Sequence, residues 1–322
     1  MIQTTTEQLR KQAQEAFPGL DAMIGWTAGY DSLHTTPHVV RGEASIDRLV
    51  WSPFCTHNLT GYLVKTPPVQ PSSPEKKIGI CVKGCDSRSL VALIQENFIS
   101  RDALFIVGIP CTGTVDVRRV MNHAAGSNIT DARLEGDRFF YRDADGEHDV
   151  KRDDVLARKC LRCRHPNPVI YDTLIGEPVA PRATLEDGYR DVAALEMKSL
   201  EDRQEFWQAE LDRCLRCYAC RNACPLCVCQ DRCIAESREP RWLTQRMGTS
   251  EKFLFHFIHA QHLAGRCTEC GECERVCPME IPVTLMKEKL NKTVQELLGY
   301  EAGLDPQAVP PLLTFSPGET DL

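Results

Sequence analysis

Seven cysteines fall within residues 214–233 of this 322-residue chain, in CLRCYACRNACPLCVCQDRC, and four more within 267–277, in CTECGECERVC. The two runs share one spacing. Cys214, Cys217, Cys220 and Cys224, followed by Pro225, form C-x2-C-x2-C-x3-C-P, and Cys267, Cys270, Cys273 and Cys277, followed by Pro278, form it again. Three thiolates on a tight turn can hold three irons of one cubane, while the fourth, a turn further on and followed by proline, points to the neighbouring cubane. The pattern predicts two 4Fe-4S clusters with crossed ligation: Cys214, Cys217 and Cys220 with Cys277, and Cys267, Cys270 and Cys273 with Cys224. Zinc would ask for two CxxC pairs, not two four-cysteine runs ending in Cys-Pro. Disulfides are disfavoured, because the cysteines number seventeen and MIQTTTEQLRKQAQEAF at the start lacks the apolar core of a secretory signal.

The other cysteines are more dispersed. Cys85 in KGCDSR and Cys111 in GIPCTGT sit in loops after apolar runs, and Cys160 and Cys163 form a CxxC. These four are candidate ligands of a third 4Fe-4S cluster. Cys227, Cys229 and Cys233 are three thiols close in sequence. With a fourth ligand such as Cys55 they can hold a further cluster; the alternative is that they are buried free thiols. Cys81 lies inside an apolar run and reads as core.

Two loops also offer a phosphate site. Lys83, Gly84, Ser87 and Arg88 lie where a strand meets a helix start, and backbone N–H groups with a cation bind phosphate there. Thr112, Gly113 and Thr114 add a glycine and hydroxyls in the second loop. Together they are candidate contacts for a flavin pyrophosphate, although no full GxGxxG is present. His256, His259 and His262 recur every third residue with no HExxH, and read as packing or solvent-facing residues.

The elements that position these groups can be read from periodicity. Residues 5–17 form a helix with Leu9, Ala13 and Phe17 on one face. IDRLVWSPFCTHNLTGYLVK reads as a strand, a loop, then a helix or second strand, and TPPVQPSSPEKK as a connector. Residues 77–84 and 102–111 are buried strands with a helix over 87–98 between them, an α/β unit whose loops carry Cys85 and Cys111. Residues 129–152 predict a small antiparallel sheet with turns at Glu135-Gly136 and Asp145-Gly146. Further on, helices are expected over 199–213, opened by Ser199, and over 251–265, capped by Ser250 and stopped by Gly265. Pro282 opens a last helix, and the chain from Tyr300 reads as an extended tail.

Composition bounds the function. With 42% apolar and 26% charged residues the chain resembles a soluble globular protein. No apolar run approaches the roughly 20 residues of a membrane helix. The net charge of −7 argues against a nucleic-acid partner.

Quoted together, VKGCDSRSL, VGIPC and KCLRC…PNPVIYDTLIGEP resemble the beta subunit of deazaflavin (coenzyme F420)-reducing hydrogenase and formate dehydrogenase, over roughly residues 45–180. CLRCYACRNACPLC with HLAGRCTECGECERVCPMEIP is similar to the dicluster ferredoxin module of heterodisulfide reductase C-type proteins, over about 199–298. The first resemblance implies FAD and a flavin-proximal cluster on Cys85, Cys111, Cys160 and Cys163, with Cys55 as a possible substitute. The second implies a partnership with heterodisulfide-reductase-like, formate dehydrogenase or hydrogenase subunits in anaerobes.

The expectation is an α/β (α+β) domain over 1–180, an α-helical dicluster 4Fe-4S ferredoxin domain over 181–299, and a tail over 300–322. Its function would be electron transfer within a cytoplasmic oxidoreductase complex, with a flavin passing electrons to clusters. The alternative is a flavin-free wire that docks between partners.

Overall fold

The computed structural model describes residues 2–65, 68–229, 233–235 and 244–314. The chain divides into two compact units. The first comprises residues 1–63, 68–87 and 100–188, the second residues 64–67, 88–99 and 189–322.

The first unit carries eight strands: β1 (Leu20–Ala28), β2 (Thr35–Val40), β3 (Lys77–Val82), β4 (Leu104–Gly108), β5 (Asp131–Glu135), β6 (Arg138–Asp143), β7 (Gly146–Lys151) and β8 (Thr173–Leu174). Five of them form a sheet in the order β2-β1-β3-β4-β8, parallel except for β2. KIGICV and LFIVG are its central strands. They are covered on both faces, which is why they read as near-continuous apolar runs. β5, β6 and β7 make the expected antiparallel sheet, with Gly136 and Gly146 in its turns. Phe139 and Tyr141 of that sheet pack with Phe54, Val120 and Val155.

The longer helices that begin in this unit are α1 (Ile2–Ala16), α2 (Gly84–Gln95) and α3 (Val117–His123), beside single helical turns at Arg152–Val155, Arg158–Leu161 and Leu185–Gly188. Leu9 and Ala13 of α1 are fully buried, as their spacing predicts. α2 starts three residues earlier than its periodicity suggests, so Cys85 lies in its first turn. The strand and helix expected over 46–65 are instead single 3-10 turns, Glu43–Arg48 and Leu59–Leu63. Ser52 Oγ accepts from Phe54 N at 3.2 Å and Asn58 Oδ1 from Thr60 N at 3.1 Å. Such side-chain bonds turn the backbone away from a ladder.

The second unit is helical. After α2 its helices are α4 (Arg190–Glu196), α5 (Leu200–Asp212), α6 (Ala219–Ala223), α7 (Thr249–Gln261), α8 (Glu272–Arg275) and α9 (Thr284–Leu298). Ser199 caps α5, accepting from Asp202 N at 3.0 Å. Ser250 does not cap α7; the cap position is Gly248, so Ser250 lies inside the helix. α9 closes on Gly299 in the left-handed region.

The stretch after α9 is not a loose tail. Arg88 of α2 donates to Ala302 O at 2.8 and 3.0 Å and pairs with Glu301 at 3.1 Å. Gln95 Nε2 donates to Asp305 O and Ala308 O at 2.9 and 2.6 Å. A Cβ on Gly303, whose φ is +73°, would stand 2.2 Å from Arg88 O, so only glycine lets the strap lie this close. Of the extended tail expected over 300–322, residues 315–322 lie outside the described residues. No helix among the described residues is long and apolar enough to cross a membrane.

Candidate metal centre

Each cysteine run is wound around two left-handed residues at equivalent places. Arg216 (φ 45°) and Tyr218 (φ 60°) flank Cys217, and Glu269 (φ 56°) and Gly271 (φ 71°) flank Cys270. The reversal turns backbone N–H groups toward sulfur in the same way twice. Arg216 N donates to Cys214 Sγ at 3.3 Å, and Glu269 N to Cys267 Sγ at 3.4 Å. Ile281 N also donates to Cys277 Sγ, at 3.4 Å. Hydrogen bonds of this kind stabilise charge on a ligating thiolate.

The fourth cysteine of each run comes to the other run. Cys214, Cys217 and Cys220 line a cavity together with Cys277, Phe255 and His256. On the other side, Cys267 is acted on by Cys273 and by Cys224. Cys270 is buried like these three, whereas Cys217 is exposed. Among the described residues, no three His, Cys, Asp or Glu side chains converge as ligands of a single ion. Four thiolates around a cubane bind one iron each and need not converge, so the donor set fits the cluster.

Burial pushes the thiols of Cys220 and Cys224 up to about 12, and that of Cys267 well above its usual range. Left alone they would stay protonated; bound metal deprotonates a thiol outright.

Two residues that the sequence did not single out as site residues, His256 and Lys287, stand beside these sulfurs. His256 of α7 was expected to be packing, and it is buried, but its Nε2 lies 3.3 Å from Cys214 Sγ. Burial, then Lys287, lowers its pKa to about 3, so the ring is neutral. His259 is buried with neither ring nitrogen hydrogen-bonded among the described residues. Lys287 of α9 is 2% exposed and its Nζ lies 3.9 Å from Cys273 Sγ. Burial opposes its charge, yet the thiols of Cys273, Cys220, Cys267 and Cys224 hold its pKa above the usual lysine value.

In the first unit, Cys85, Cys111 and Cys160 are brought together. Burial pushes the Cys85 thiol up to about 12, and Cys160 is among the groups that act on it. Cys111 is raised by burial, then by Cys160, with Cys85 adding to it. Cys163 ends the same turn, its N–H bonded to Cys160 O at 3.4 Å. Gly84 explains the convergence: a Cβ there would lie 2.1 Å from His165 O, so the chain after the CxxC runs directly over the start of α2. Cys111 N donates to Pro166 O at 3.0 Å in the same crossing.

That crossing sets the surroundings of the residues expected at a phosphate. Lys83, 1% exposed, pairs with Asp86 at 2.8 Å, donates to His57 O at 2.9 Å and lies over the Trp26 ring. Ser87 Oγ donates to Gly84 O and accepts from Val169 N. Arg88 holds the strap after α9. The start of α2 is thus crossed by the chain at His165, and the side chains of Lys83, Ser87 and Arg88 already have partners. Thr112 O accepts from Arg152, Gly113 (φ +123°) backs onto Leu156, and Thr114 N donates to Cys160 Sγ at 3.3 Å. This loop walls the cysteine group.

Cys55 is buried in the first unit, where its thiol accepts from Ser52 N at 3.3 Å and acts on Cys81. Cys227, Cys229 and Cys233 lie in one another's field with Lys65 and Arg221, whose side chains donate to Cys227 O and Cys229 O.

Known proteins share these features. Residues 210–281 match the 4Fe-4S dicluster domain family. The chain is 24% identical to the F420-dependent formate dehydrogenase subunit beta of Methanocaldococcus jannaschii, over 92% of this chain and 90% of that one. It is 25% identical to the F420-dependent formate dehydrogenase 1 subunit beta of Methanococcus maripaludis, over 91% and 89%. Among solved structures, a chain of the F420-reducing [NiFe] hydrogenase complex from Methanosarcina barkeri aligns with 16% identity and a TM-score of 0.39, over 66% of this chain and 86% of that one.

Proposed function

We propose that this chain, a relative of the F420-dependent formate dehydrogenase and F420-reducing hydrogenase beta subunits with a 4Fe-4S dicluster domain, is the electron-transfer subunit of such an oxidoreductase complex. The observation that carries the reading is the cavity in which Cys277 of the second run joins Cys214, Cys217 and Cys220 of the first. Cubanes there supply one-electron carriers. Cys214, Cys217, Cys220 and Cys277 would hold one, and Cys267, Cys270, Cys273 and Cys224 the other. Cys85, Cys111, Cys160 and Cys163 are proposed as ligands of a third. Cys227, Cys229 and Cys233 are a further thiol group beside Lys65 and Arg221. The chain's own part is to bury the sulfurs, aim backbone N–H groups at them and exclude water.

The donor and acceptor proposed are a hydride carrier of the deazaflavin class and the redox subunits of a formate dehydrogenase, hydrogenase or heterodisulfide-reductase-like complex. The resemblance also implies FAD. The crossed start of α2 does not fit a pyrophosphate, so no step is assigned to a flavin. That same crossing favours a second reading, a relay of clusters without a flavin of its own.

The test is iron, sulfide and flavin per chain in the complex purified without oxygen. About twelve irons support three clusters, and about sixteen add the Cys227 group. About eight leave the dicluster relay alone, and fewer than about four would end the electron-transfer reading. One flavin per chain would exclude the second reading.

A further inference from the structure

Lys287 is a lysine in an unusual place. It sits in the first turn of α9 with 2% of its surface exposed, its Nζ 3.3 Å from Val283 O and 3.9 Å from Cys273 Sγ. A buried ammonium is costly without an anion beside it. The group its Nζ faces is the sulfur of Cys273.

In the crossed ligation Cys273 serves the second cubane, so the cation stands beside that cubane. Helix α9 fixes it there. Thr284, three residues earlier, lies 3.5 Å from Cys273 through its Oγ1, so the same turn of helix delivers a hydroxyl and a charge to one sulfur.

Reduction adds one electron, hence one unit of negative charge, to a cubane without breaking a bond. A fixed positive charge in a dry interior favours the reduced form, because little solvent screens it. We propose that Lys287 is a positioning residue for charge: a buried cation beside the second cubane that raises its reduction potential. The proposal rests on the two-cubane reading above.

The test uses the full chain, purified without oxygen, and titrates the clusters with dithionite while following their electron paramagnetic resonance signals. Wild-type iron content decides the underlying reading: a module without cubanes sinks that reading, whatever Lys287 does. Given cubanes, Lys287→Met should keep the wild-type iron content and shift the midpoint of the signal that Cys270→Ala abolishes to a more negative value. The expected shift is at least tenfold in the ratio of oxidised to reduced cluster, about 59 mV for one electron. Iron retained with that midpoint unmoved overturns the proposal. Should Lys287→Met lose its clusters, Lys287→Arg decides. Clusters restored with wild-type midpoints support a requirement for positive charge, and clusters still absent overturn it.

Discussion

The hydroxyls of Ser89 and Thr268 lie 2.8 Å apart, both fully buried, and join α2 to the second cysteine run between Cys267 and Cys270. Glu96, the residue after α2, pairs with Arg266, just before that run. The loop that would hold the second cubane is thus fastened to α2 and to the residue that follows it.

Removing the first fastening should be felt at that cubane alone. Ser89→Ala leaves the Thr268 hydroxyl unpaired in a dry site, at a cost of about 1–3 kcal/mol. Iron release to a chelator should quicken for the second cubane and not for the first, as read from the two resonance signals. Equal release from both would mean that the bond does not act on the loop.

Crossed ligation makes a sharper claim. Cys217→Ala and Cys277→Ala should abolish the same signal, although their residues lie in different runs, and Cys224→Ala should abolish the other. Each should remove about four irons. Loss of one signal by both Cys217→Ala and Cys224→Ala would assign each run its own cubane.

Arg88→Ala separates a structural arginine from a phosphate ligand. Breaking its pair with Glu301 and its bonds to Ala302 O should cost about 3 kcal/mol, the lower end for a buried ion pair. Proteolysis should then cut within 300–308 in otherwise folded protein, and flavin per folded chain should not change. Flavin loss with the strap still protected would return Arg88 to a phosphate site.

Lys83 and Asp86 form a buried pair beneath Cys85. Lys83→Met should destabilise the chain by about 3–5 kcal/mol in urea, because it strands the Asp86 carboxylate. Lys83→Met with Asp86→Leu should recover most of that loss. A double variant as unstable as the single one would show that the pair does more than neutralise itself.

The cysteine runs were legible because their spacing is itself the ligand geometry: the turn that binds three irons is written in consecutive residues. The strands KIGICV and LFIVG were legible as buried runs, and Ser199 as a cap. What escaped notice depends on distant chain. Nothing in VKGCDSRS announces that His165–Asn167 will pass over the helix start. Lys287 and His256 look like any residues of amphipathic helices until α7 and α9 turn them toward sulfur. β1 and β2 were unread, since Gly25 and Pro37 interrupt their β pattern, and Pro37 is tolerated because β2 is an edge.

Among the eight cysteines of the two runs, Cys217 is the exposed one, and the other seven are buried. The two cubanes would therefore age differently in air. Oxygen and peroxide meet the first at Cys217 and must cross packed side chains to reach the second. Loss of iron should begin at the first, so protein handled aerobically would pass through a half-emptied form in which the deeper cubane still takes an electron and has no neighbour to hand it to.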